Sequence, residues 1–122
     1  MLSPNLILLY VENPQASVAF YEKALGRPPI ESSERFAMFG FDNGLRLGLW
    51  MREDVEPKPS SRPGAVEVLF PSEAREAVDA LCADWRKLGL AIAQEPTAMD
   101  FGYTFVAVDP DGHRLRVCNL AP

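Results

Sequence analysis

The sequence predicts an α+β domain made of two tandem β-α-β-β-β modules. Three observations carry that class. Two stretches of helical spacing each follow an apolar strand candidate. Each is followed by alternating segments joined through a turn, "DNG" in one half and "DPDG" in the other. The halves repeat this order without sharing residue identity, as a duplicated unit does. The expected organisation is a single domain over residues 1–122, with a first module at 1–51, a linker at 52–64 and a second module at 65–122.

The elements follow in order. "NLILLYV" (Asn5–Val11) is a buried strand candidate. "NPQASVAFYEKALG" (Asn13–Gly26) is a helix: Asn13 can cap it, Pro14 suits its first position, and Gly26 suits its stop. Val18, Tyr21, Ala24 and Leu25 recur at helical spacing within it. Arg35–Phe41, the turn Asp42–Gly44 and Leu45–Met51 form a hairpin. "REDVEPKPSSRPG" (Arg52–Gly64) is charged and rich in proline and serine, which marks a linker. Ala65–Phe70 is a strand, and Ser72–Gly89 is a helix capped by Ser72 with Val78, Leu81, Trp85 and Leu88 as its apolar stripe. Cys82 lies beside that stripe. Leu90–Pro96 is a strand. Tyr103–Asp109, the turn Asp109–Gly112 and His113–Leu120 close the chain, with Asp109 and Asp111 bonding their own backbone in the turn.

Composition excludes several classes. With 122 residues, 48% of them hydrophobic, the chain can bury one core. Its formal net charge of −5 and lack of a basic cluster argue against nucleic acid and against an anionic membrane surface. No run approaches the roughly 20 apolar residues of a membrane span, and "LILLYV" is too short and too poorly flanked for a secretory leader. Cys82 and Cys118 form no CxxC pair and read as reduced thiols of a cytoplasmic protein.

Each helix must bury its stripe on one face of its sheet, so strand parity divides every strand into a covered and an open set. Leu45, Leu47 and Leu49 are the covered set of their strand, and Arg46, Gly48 and Trp50 the open one. A glycine beside a tryptophan makes a shelf, space and then a flat wall. Val66, Val68 and Phe70 are core, leaving Ala65, Glu67 and Leu69 open. In the last strand, Arg114, Arg116 and Cys118 oppose His113, Leu115 and Val117. In the first strand either set, Leu6–Leu8–Tyr10 or Ile7–Leu9–Val11, could face the core. The open faces thus carry a tryptophan, arginines, a glutamate and small residues. A mostly apolar surface with a few polar groups suits a small-molecule site.

"YVENPQASVAFYEKALG", the central hairpin and "DFGYTFVAVDPDGHRLRV" together resemble the glyoxalase/bleomycin-resistance/extradiol-dioxygenase superfamily, the vicinal oxygen chelate fold. "LGLWMREDVEP" and "EPTAMDFGYTFVAVDPDGHRLRV" look most like its metal-free, phenazine-resistance-like branch. The resemblance implies a cup-shaped mixed sheet and a homodimer. It also implies that, in the enzymes, first- and last-strand residues of each module hold a metal. Those positions fall here at Leu6, near Gly48, at Ala65 (or Glu67 after a register slip) and at Arg116. Leucine, glycine and alanine side chains have no donor, and a guanidinium is a cation. A metal site needs three or four N, O or S ligands, so no metal and no cofactor are expected.

The candidate ligand-binding residues are Trp50, Arg116, Tyr103, Phe101, Tyr10, Glu67 and Gly48. Trp50 can stack on a planar ring or pack on a partner subunit. Arg116 can meet an anionic ligand group or pair with Glu67. Phe101, Gly102 and Tyr103 can wall the cup or simply fill a strand end, and Met99 beside them can fill an apolar pocket. His113, the one histidine, reads as a hairpin residue rather than a catalytic base. Cys118 has no histidine base indicated near it. The expected function is sequestration of an aromatic or antibiotic-like compound in the cup at a dimer interface. The alternatives are a metal-dependent lyase, isomerase or dioxygenase of the same superfamily, or an interaction module without a ligand.

Overall fold

The computed structural model of the protein describes residues 1–121. It comprises two compact units, Met1–Pro63 and the stretch from Gly64 onward.

The first unit runs β1 (Leu6–Val11), α1 (Pro14–Leu25), β2 (Glu31–Ser32), β3 (Phe36–Gly40) and β4 (Arg46–Met51). Its sheet has the order β1-β4-β3-β2, with β1 parallel to β4 and the other pairs antiparallel. α1 starts as its sequence dictates. Asn13 is extended, and its Oδ1 accepts from the N–H of Gln15 at 3.0 Å and of Ala16 at 3.4 Å. Gly26 ends the helix at φ 67, the left-handed region that a Cβ disfavours. Pro14, Ser17 and Tyr21 form its buried stripe, and the Tyr21 ring lies 6.1 Å from that of Phe39. Leu9 and Val11 are buried with Ala37, Phe39, Leu47 and Leu49. That settles the parity of β1: Leu6, Leu8 and Tyr10 belong to the open face. β2 is only two residues long, too short to show alternation, and is not legible in the sequence.

The proline- and charge-rich stretch after β4 is tied down rather than loose. Arg52–Asp54 makes a single 3-10 turn, and Val55 is buried. The Arg52 guanidinium donates to the carbonyls of Pro59 at 3.4 Å and Ser61 at 3.1 Å, and the Lys58 ammonium donates to that of Glu53 at 2.7 Å. Asp54 pairs with Arg35 at 2.6 Å.

The second unit repeats the plan with β5 (Glu67–Pro71), α2 (Arg75–Lys87), β6 (Ala91–Met99), β7 (Gly102–Val108) and β8 (Arg114–Leu120). Its order is β5-β8-β7-β6, with β5 parallel to β8. Val78, Cys82 and Trp85 are the buried face of α2, and Trp85 meets Phe105 edge-on at 5.4 Å. Asp109 behaves as expected of a turn aspartate: its Oδ1 accepts from the N–H groups of Asp111 at 2.8 Å and His113 at 2.9 Å.

Four expectations are corrected in this unit. Ser72 does not cap α2. The N-cap is Ala74, which has no side chain to offer, and the Ser72 hydroxyl donates instead to the Ala74 carbonyl at 3.1 Å. Leu88 is exposed at the helix end, and Cys82 takes its place in the buried stripe. Val66 precedes β5 and is exposed rather than core. β6 runs through Pro96 to Met99, which an edge strand with register shifts permits because no ladder donor is needed there. Both cysteines are free thiols and buried, and desolvation pushes the Cys82 thiol up. Among the described residues, no helix is long and apolar enough to cross a membrane.

Candidate functional site

Each sheet presents one face that its own helix does not cover. In the first unit that face is aromatic and aliphatic. Register places Tyr10, Trp50 and Phe36 side by side across β1, β4 and β3. The Tyr10 and Trp50 rings meet edge-on, with centroids 6.3 Å apart and planes at 78°. All three are partly exposed, as are Leu6 and Leu8 in the same set. Gly48 does not open a shelf beside Trp50. A Cβ there would lie 2.7 Å from Leu8 Cδ2 and 3.2 Å from Phe36 Cζ, so these two side chains already fill the space the glycine leaves.

In the second unit the open face carries a polar row with one residue from each strand. Arg116 on β8 is its centre. Its Nε donates to Glu67 Oε1 at 2.9 Å and its Nη2 to Glu67 Oε2 at 3.0 Å, a bidentate pair with β5. Its Nη1 donates to Gln94 Oε1 on β6 at 3.1 Å and to Thr104 Oγ1 on β7 at 3.2 Å. Thr104 is fully buried and its hydroxyl donates in turn to the Val117 carbonyl at 2.8 Å. Gln94 is oriented from its other end, where Nε2 lies 3.5 Å from Met99 Sδ. The Phe101 ring covers the guanidinium from 5.6 Å. Arg114 approaches Glu67 Oε2 at 3.9 Å.

Electrostatics follow from that pairing. The bond from Arg116 holds the Glu67 carboxyl below the usual carboxylate range, against the opposing effect of desolvation. The same bond raises the pKa of Arg116. Both groups are therefore charged across the physiological range.

The sequence-derived candidates thus fall into three places. Trp50, Tyr10 and Gly48 share the open face of the first sheet. Arg116, Glu67 and Phe101 converge on the second. Tyr103 stands apart on the helix side of β7. Its hydroxyl donates to Asp79 Oδ1 on α2 at 2.7 Å, and the Arg75 guanidinium lies 4.2 Å over its ring. That bond to Asp79 raises the phenol's pKa. Gln94 and Thr104 are not among the candidates read from sequence. Parity alone would have found Thr104, which pairs with Cys118 on the Arg116 face. The register shifts in β6 hide Gln94. Cys118 shares that face and is fully buried.

Register also relates the two sheets at the positions the resemblance implies for a metal. β1 pairs Leu6 with Arg46 and Leu8 with Gly48, while β5 pairs Glu67 with Arg114 and Leu69 with Arg116. Matched this way, Glu67 corresponds to Leu6 and Arg116 to Gly48, and Ala65 lies ahead of the strand. The residues present do not fit a metal. Leu6 and Gly48 offer no donor atom, Arg116 is a cation, and Glu67 alone falls short of the three or four ligands a metal needs. Among the described residues, no three His, Cys, Asp or Glu side chains converge on a point where an ion could sit.

This architecture defines a family. Residues 3–117 match the model of the glyoxalase/bleomycin resistance protein/dioxygenase superfamily, and the chain belongs to that superfamily. Within it, the chain is similar to the phenazine antibiotic resistance protein EhpR of Enterobacter agglomerans, with 30% identity covering 98% of this chain and 93% of that protein. It is also similar to the solution structure of protein ATC0852 from Agrobacterium tumefaciens, with 48% identity, full coverage of both chains and a TM-score of 0.89. A glyoxalase-related enzyme from Fulvimarina pelagi shares the fold at 23% identity and a TM-score of 0.83, covering 98% of this chain and 88% of that one.

Proposed function

We propose that this protein is a metal-free small-molecule binder that sequesters a planar aromatic or antibiotic-like compound, acting as a homodimer in the cytoplasm. The observation that carries the reading is the donor set: Arg116 and Glu67, at positions the resemblance assigns to metal ligands, are bound to each other as a bidentate pair. The second unit carries a fixed polar row centred on that pair. The aromatic row Tyr10–Trp50–Phe36 supports the choice of a flat ligand. Rigid rings bury area at low entropy cost and prefer stacked or edge-on partners. Similarity to a phenazine antibiotic resistance protein supports the ligand class and a role in resistance.

Tryptophan fluorescence tests the proposal. The chain has two tryptophans. Trp85 is buried against Phe105, so Trp50 is the residue a ligand can reach. Saturable quenching by a phenazine, lost in Trp50→Phe together with calorimetric binding, is the expected result. Calorimetric affinity unchanged in Trp50→Phe would remove Trp50 from the site, and no binding in either protein would remove the proposal.

A further inference from the structure

The polar row also states what kind of polar group a ligand must carry, provided the small-molecule reading above holds. A guanidinium has five N–H donors. Four of those of Arg116 are engaged, two by Glu67, one by Gln94 and one by Thr104. Its side chain is only 13% exposed, and the Phe101 ring covers one side. Arg116 therefore has little left to give to an incoming anion. Thr104 is fully buried, accepting from Arg116 and donating to Val117, and is out of a ligand's reach. The Gln94 oxygen is engaged by Arg116 and its nitrogen points to Met99.

Glu67 is different. An ionised carboxylate has about four lone-pair sites, and Arg116 takes two of them. Its side chain is 36% exposed. It is held charged by its pairing and fixed in direction by two bonds, so it needs no reorganisation to accept a third. Exposed Leu69 on the same strand, with exposed Met99 and Phe101, provides apolar surface on the same sheet. Arg114 lies at the rim, half exposed and 3.9 Å from Glu67, where water screens it.

We propose that Glu67 is the acceptor for the ligand's polar end, so that the protein selects aromatic compounds bearing an N–H or O–H donor over those bearing a carboxylate. Arg116 is the positioning residue that holds Glu67 charged and aimed. A carboxylate on the ligand would meet Glu67 at close range with the Arg116 fork already closed on Glu67, leaving only the half-exposed Arg114 beside it. A charge-assisted donor bond lost in exchange for a like-charge contact changes affinity by at least about tenfold.

The test is calorimetric titration with three probes of one ring system: phenazine, a phenazine with one amino group, and a phenazine with one carboxylate. The amino compound is expected to bind at least about tenfold more tightly than the carboxylate. In Glu67→Gln that ratio should fall to within about threefold. Arg114→Gln should leave the ratio intact, which separates a local acceptor from the general field of the face. Circular dichroism checks that each variant is folded. A carboxylate compound that binds as well as or better than the amino compound overturns the inference and leaves aromatic binding standing. Failure of all three probes overturns the small-molecule reading and the inference with it.

Discussion

Glu67→Gln is the most informative single change for stability as well. It keeps the shape of the side chain and removes its charge. Arg116 is then left 13% exposed without the counter-charge now held at 2.9 and 3.0 Å. Breaking a fully buried pair costs about 3–5 kcal/mol, whereas an exposed pair is worth about 0–1 kcal/mol. This pair lies between. Water can replace part of a carboxylate that is 36% exposed, and Arg116 keeps Gln94 and Thr104. The expected loss is about 1–2 kcal/mol, or about 3–8 °C in Tm for a chain of this size. The pH dependence has a definite sign. The folded pKa of Glu67 lies below its unfolded value, which is about 4.3 for a free glutamate. Its stabilisation is therefore complete above the unfolded value and is lost as pH falls through the folded one. Urea unfolding of both proteins from pH 7 downward should show a gap that closes below about pH 4. A variant within about 0.3 kcal/mol of wild type at pH 7, or a gap that does not narrow as pH falls, would refute the assignment of the pair as a fixed, partly desolvated unit.

Three further substitutions separate backbone constraint, filled space and the helix side of the second sheet. At Gly102 (φ 150) a Cβ would lie 2.3 Å from the Asn119 carbonyl oxygen, a backbone atom that cannot step aside. Gly102→Ala should cost about 3 kcal/mol or more by denaturant unfolding. Gly48→Ala meets only side-chain ends of Leu8 and Phe36, which can rotate, so its cost should stay near 1 kcal/mol; equal costs for the two would contradict this contrast. Tyr103→Phe removes the bond to Asp79. It should lower stability by at most about 1 kcal/mol and leave affinity for aromatic probes unchanged, because Tyr103 stands on the helix side of β7; a tenfold loss of affinity would contradict that placement.

Most of the fold was legible because its signals are local. Asn13, Pro14 and Gly26 bound α1 as capping chemistry requires, and the two turn motifs mark both closing hairpins. What escaped depends on neighbours distant in sequence. β2 has two residues and exists only because β3 offers it an edge. Ser72 has the right chemistry for a cap but stands two residues ahead of the Ala74 N-cap. The candidate site was half legible. Parity alone brings Arg116 and Glu67 to one face, and the choice between ligand contact and internal pairing needed the bidentate geometry. Gln94 is masked by shifts in β6, and Gly48 looks like open space until Leu8 and Phe36 are seen to fill it. Tyr103 follows Phe101 by two positions, yet its hydroxyl is held by the helix.

The measurement closest to the central claim is native mass spectrometry of tag-free protein purified without chelator, before and after adding a phenazine. It reads metal, retained organic molecules and subunit count in one spectrum. The account predicts a dimer without stoichiometric metal, carrying an organic adduct or taking up the aromatic probe. A spectrum with about one metal ion per chain, with probe uptake abolished when chelator removes it, would contradict the account.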